Sequence, residues 1–261
     1  MRRDRFGGVL QVTIAAGQIP FDLAAEVACR VRGGGAQLVA CDTDRPACEG
    51  IIHGAGSSEA CRVERLLEWN RRSLGLPVLL LAPDGAGVRQ LLELAGHTVT
   101  WLPVSDHGEV YALGASIQRH VRRSAAAHVQ RLIIHATACP HPQVHRITRD
   151  FLTALVDGPG APGLGTFLRR SGVAPRTAER IWSRAGLPHP KRFLDLTLLL
   201  FLATESARIG DTITHVARDL HVGRTTLRRL RQRTPGLRSV RDLYHEAGAA
   251  AVLRAIGAAA D

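Results

Sequence analysis

Arg176, Glu179, Arg180, Ser183 and Arg184 fall at i, i+3, i+4, i+7 and i+8 in the stretch GLGTFLRRSGVAPRTAERIWSRAGL, which starts at residue 163. That spacing puts them on one face of a helix, with Thr177 beside them. A second stretch, ITHVARDLHVGRTTLRRLRQRTPGL (213–237), carries Arg224, Thr225, Arg228, Arg229 and Gln232 in the same way. The guanidinium fork can donate two parallel hydrogen bonds to guanine O6 and N7. A glutamate can accept from cytosine N4, and a threonine hydroxyl can serve several bases. The chemistry these faces could perform is therefore recognition of base edges, with no bond made or broken.

Such faces must be held by a frame. In the first stretch Leu168, Gly172, Ala178 and Ile181 supply the apolar contacts and the tight turn of a helix-turn-helix, glycine giving the turn its positive φ without steric cost. Ala178, Ile181, Trp182 and Ala185 share the inner face of the second helix. The frame recurs as Ala217, His221, Leu227 and Leu230, 49 residues further on, Leu227 answering to Ala178. Between the two, PKRFLDLTLLLFLATES (190–206) predicts one continuous apolar helix starting at Pro190 or just after it.

Charge follows the same division. The 261 residues carry 34 Lys+Arg against 23 Asp+Glu, a formal +11, and Lys191 is the one lysine. Residues 1–124 hold 14 Arg and 13 acids, a net of +1, whereas residues 125–261 hold 20 cations and 10 acids, a net of +10. A polyanion would be drawn to one end only. Hydrophobic residues at 45% exclude a disordered basic tail. No apolar run is long enough to span a membrane, and MRRDRFGG is followed by no signal-peptide core. The five cysteines (29, 41, 48, 61, 139) contain no CxxC pair and read as reduced thiols, so a cytoplasmic protein is expected. His135, Cys139, His141 and His145 recur at metal-ligand spacings, but Pro140 and Pro142 make this stretch read as an interdomain linker, 125–146.

The N-terminal half alternates strand-like runs (9–16, 36–41, 50–55, 77–82, 97–103) with helix-like ones (21–32, 60–74, 88–96, 110–123). Alternation of this kind predicts a parallel, doubly wound α/β sheet. Gly54/Gly56 and Gly85/Gly87 sit at strand-to-helix turns, and the second pair looks like a dinucleotide turn, although Gln90 replaces its third glycine.

Over roughly residues 8–124 the order of elements resembles the receiver domain of response regulators. The resemblance implies a flavodoxin-like sheet without the family's chemistry. Ala15, Ala16 and Gly17 stand where an acidic pair would hold Mg²⁺, the phosphoacceptor place falls near His53, and Pro103 and Val104 follow Leu102 where a lysine is usual. A pseudo-receiver, not phosphorylated in the usual way, is the expectation. The C-terminal half, over about 147–247, resembles the DNA-binding domain of AraC-type transcription regulators, through VAPRTAERIW, PHPKRF and VARDLHV. That resemblance implies base contacts from Arg176, Glu179 and Arg180 in the first recognition helix and from Arg224, Thr225, Arg228 and Arg229 in the second; Thr177 and Arg184 join the first set. Arg169, Arg170 and Arg192 would sit on phosphates. Two departures stand out: His221 occupies the place of a turn glycine, and Arg231 that of Trp182. The second motif is therefore expected to be looser, or to bind mainly backbone, with Leu230 replacing the aromatic anchor.

The expectation is thus a near-neutral α/β domain (1–124) that senses a protein or small-molecule signal, or dimerises, and a DNA-reading domain (147–261) specific for double-stranded DNA. No cofactor, no metal and no catalytic activity are expected. The alternative is a nucleotide-dependent enzyme, or a nucleotide-binding α/β domain, with a basic accessory domain; it needs a nucleotide at Gly85/Gly87. A third reading makes the basic helices protein-binding.

Overall fold

The computed structural model describes residues 12–17, 19, 21–40, 48–54, 76–82, 99–103, 110–139, 141–158, 160–234, 236–237, 239, 242–243 and 246–257. The expected helices over 60–74 and 88–96 lie outside these residues, as do Cys41, Cys61, Gly56, Gly85, Gly87, Gln90, Val104 and Pro140. The chain divides into two units, Val12–Ser124 and the residues from Ala125 on.

In the first unit five strands, β1 (Thr13–Gly17), β2 (Gln37–Ala40), β3 (Gly50–Gly54), β4 (Val78–Ala82) and β5 (Val99–Pro103), form one sheet in the order β2-β1-β3-β4-β5. Every pair is parallel, and the order is that of flavodoxin-type doubly wound sheets. Val78, Leu79, Leu80 and Leu81 are buried in succession. A strand buried on both faces needs a continuous apolar run and not an alternating one. Helix α1 (Phe21–Gly33) makes the β1-to-β2 connection. Gly50, at the start of β3, lets a helix approach closely: a Cβ there would lie 2.0 Å from Ser124 Oγ and 3.1 Å from His120 Nε2.

That helix, α2 (Val110–Thr137), is longer than the sequence expectation of 110–123. Leu113, Ile117, Val121, Ala125, Val129 and Ile133 recur at every fourth residue and are all buried, so one apolar stripe runs its whole length. The stretch 125–146, expected as a linker, is largely helical. It is helical to Thr137 and helical again in α3 (Pro142–Asp157). Pro142 occupies the first turn of α3, where its missing N–H is not needed. The break between them is short and centres on Ala138, at φ +46°.

The second unit is helical: α4 (Leu164–Arg170), α5 (Pro175–Arg184), α6 (Pro190–Ile209), α7 (Ile213–Asp219), α8 (Arg224–Gln232) and α9 (Glu246–Gly257) follow α3. An α/β part followed by a helical part agrees with the expectation. Helix α6 is the core of this unit, buried from Phe193 to Ser206 apart from the half-buried Asp195. A helix apolar on all sides belongs inside other elements, and α3, α5, α7, α8 and α9 all pack on it. Among the described residues no helix is long and apolar enough to cross a membrane.

Candidate nucleic-acid interface

Helix α4 packs its Phe167 edge-on against Phe151 of α3, ring centroids 5.4 Å apart. It stops at Ser171, where Gly172 turns the chain at φ +67°. Two hydrogen bonds close the turn: Gly172 N–H donates to Arg169 O (3.1 Å) and Val173 N–H to Leu168 O (2.9 Å). Ala174 caps α5 in extended conformation, and Pro175 opens the helix. Ala178, Ile181 and Trp182 turn inward and are buried. Trp182 meets Phe193 of α6 edge to face at 5.6 Å, so the aromatic anchor fixes α5 to the central helix.

The second pair of helices repeats these features in detail. His221 takes φ +53°. His221 N–H donates to Arg218 O (2.9 Å) and Val222 N–H to Ala217 O (2.7 Å). Gly223 caps α8 at φ −65°, ψ 149°, as Ala174 caps α5 at φ −65°, ψ 140°. The turn expected to be loose for want of glycine is closed by the same two bonds as the first. Leu227 and Leu230 are buried on the inner face of α8, as their counterparts Ala178 and Ile181 are on α5, while Arg231, at the place of Trp182, is half-buried. The chain entering α4 also braces this second turn: Ala161 N–H donates to Leu220 O at 3.2 Å, and a Cβ on Gly160 would lie 3.0 Å from His221 Cβ.

The outward faces hold the residues singled out from the sequence. On α5, Arg176, Glu179, Arg180 and Arg184 are exposed and Thr177 is half-buried. On α8, Arg224, Thr225, Arg228 and Arg229 are exposed, and the helix contains no acid. Arg169, Arg170 and Arg192 are exposed as well. None of these arginines has an ion-pair partner among the described residues. Glu179 is the exception on these faces, with His189 Nε2 at 3.4 Å from its Oε1. The same imidazole caps α6, its Nδ1 accepting from Lys191 N–H. His189 had no role in the sequence reading, although its place just before PKRF is that of a helix cap.

At the far end of α6, Arg208 binds Glu205 through Nε–Oε1 (2.8 Å) and Nη2–Oε2 (2.7 Å). The two side chains are 3% and 1% exposed. The left-handed Gly210, at φ +72°, ends the helix, and the Thr212 hydroxyl caps α7 by accepting from His215 N–H.

The residues at metal-ligand spacings are not brought together. Among the described residues no three of His, Cys, Asp or Glu form a group that could hold a metal ion. His135 is exposed, Cys139 buried, and His141 and His145 half-buried on the first turn of α3. Gly17, Gly54 and Pro103 end β1, β3 and β5, and His53 pairs in register with Gly17 and Leu80. Cys29, Cys48 and Cys139 form no disulfide among the described residues. No family model, curated protein or solved structure matches the chain.

Proposed function

We propose that this chain is a sequence-specific DNA-binding regulator of transcription, of the AraC-like kind its C-terminal half resembles, in which α4–α5 and α7–α8 act as two helix-turn-helix motifs. One observation carries this reading: the two helix pairs share a turn geometry and present arginine faces without ion-pair partners among the described residues. In solution such faces are costly through self-repulsion, and a polyanion relieves that cost. Successive major grooves open on one side of DNA at intervals of ~34 Å. Recognition helices α5 and α8 then enter two such grooves. Arg176, Arg180, Arg184, Arg228 and Arg229 read guanine, Glu179 reads cytosine, and Thr177, Arg224 and Thr225 complete the contacts. Arg169, Arg170 and Arg192 set the register on phosphates. The N-terminal α/β unit receives a protein or small-molecule signal, or pairs with a second copy.

The test is enrichment of the full chain on random duplexes, followed by titration of the selected site over a range of salt. A selected sequence and a steep fall of affinity with salt are expected, since several phosphates are neutralised. No enriched sequence, or a flat salt response, overturns the proposal.

A further inference from the structure

Between the first turns of α6 and the end of α8 lies a cavity of about 360 Å³, within the size range of small-ligand sites. Leu199 and Leu230 form part of its wall. Lys191, Arg192 and Arg233 bring three cations to it, and Asp195 brings one carboxylate. That carboxylate is already engaged, with Lys191 Nζ at 3.2 Å from its Oδ2. Arg192 and Arg233 have no ion-pair partner among the described residues. Two arginines, one on α6 and one capping α8, thus line one concavity, neither in an ion pair among the described residues. An anion bound there would be attracted by both.

The cavity also adjoins both outward faces. Arg233 follows Arg229 by one helical turn at the end of α8, and His189, on the rim, reaches Glu179 of α5. We propose that this cavity is an oxyanion seat that takes a phosphate group. The planar forks of Arg192 and Arg233 suit the paired oxygens of a phosphate. Three cations against one carboxylate leave two positive charges for it. A phosphate can arrive from the DNA backbone between the two grooves or from a free phosphorylated molecule. The first source rests on the DNA-binding reading; the second stands without it.

The experiment uses the full chain with Arg192→Gln, Arg233→Gln and the double substitution, all at exposed helix-surface or helix-end positions. Arg254→Gln, an exposed arginine of α9 outside the cavity, is the control. In one arm the salt dependence of binding to the selected duplex is measured. The expected result is a slope in log K against log salt shallower by about 0.9 in the double variant, with Arg254→Gln unchanged. In the other arm inorganic phosphate and pyrophosphate are titrated at constant ionic strength without DNA. The expected result is a raised melting temperature in the natural chain and none in the double variant. A response in the first arm assigns the seat to backbone phosphate, and one in the second alone to a free phosphate. No response in either arm, or an equal one in Arg254→Gln, overturns the seat. Failure of the natural chain to bind any duplex overturns the DNA reading instead, and the phosphate arm then decides the seat alone.

Discussion

His221 holds the backbone conformation that Gly172 holds 49 residues earlier, φ +53° against φ +67°. Each residue donates its N–H three positions back, and the next residue donates five positions back. A left-handed conformation costs an L-residue roughly 1–2 kcal/mol. The second turn therefore carries strain that the first avoids, and the burial of Val216, Ala217, Leu220 and Val222 around it over-determines the conformation.

Gly172→Ala tests the cost directly. A Cβ at Gly172 meets nothing within 4 Å, so only the backbone conformation opposes it. Reduced freedom of the unfolded chain returns ~0.4–1 kcal/mol. A net loss of about 1 kcal/mol in urea unfolding is expected, and an unchanged midpoint would show that the turn is free to relax.

Trp182→Ala and Arg180→Ala should separate folding from recognition. Trp182 is fully buried against Phe193, so its truncation should cost about 3–5 kcal/mol of stability. Arg180 is exposed, so its truncation should leave stability within about 0.5 kcal/mol. In duplex binding Arg180→Ala should lose about 1–3 kcal/mol and relax preference at one base pair. A uniform loss over all sequences would assign Arg180 to a phosphate.

The stability of the chain should fall in acid through His120. Burial, and secondarily the charge of Arg123, lower its pKa from 6.5 to about 3. The folded chain keeps this imidazole neutral while the unfolded chain protonates it below about 6.5. Its contribution is complete above that value and is lost as pH falls towards 3, by at most ~1.4 kcal/mol per pH unit. Denaturant midpoints between pH 4 and 7 should vary less in His120→Leu; an identical pH dependence in that variant would refute the assignment.

Arg208→Ala should destabilise by about 3–5 kcal/mol, because it takes from the buried Glu205 the guanidinium that binds both of its carboxylate oxygens. Replacing both by apolar residues, as in Glu205→Met with Arg208→Leu, should recover most of that loss. Thermal unfolding of the three chains makes the comparison. If the single and double variants lose equally, packing of the Arg208 stem is the larger effect.

His189→Ala should broaden base preference at the position Glu179 is proposed to read, since the imidazole lies 3.4 Å from that carboxylate. His189→Asn keeps an N-cap for α6 but is too short to reach Glu179. Selection of sites by the two variants separates the roles: broadening in both identifies orientation of Glu179, and broadening in His189→Ala alone identifies capping.

Much of the fold was legible because its signals are local. Short apolar runs marked the strands near their observed bounds, and the helical period separated Ala178, Ile181 and Trp182 from Arg176, Glu179 and Arg180 within ten residues. The continuation of α2 beyond residue 123 is equally written as a four-residue repeat, but Pro140 and Pro142 carry the signature of a break, and Pro142 begins a helix. The cavity was not legible. Arg192 and Arg233 are 41 positions apart in sequence, and only the packing of α8 on α6 brings them to one concavity.

By itself the sequence determined the duplicated frame, the outward arginine faces and the concentration of charge after residue 124, all consequences of helical period and composition. Tertiary structure alone decided what surrounds α6. A helix apolar on every side carries no directional pattern, so its neighbours are chosen by packing. The same packing holds His221 in a conformation that its own chemistry disfavours. It also brings Arg192 and Arg233 to the wall of one cavity, neither with an ion-pair partner among the described residues.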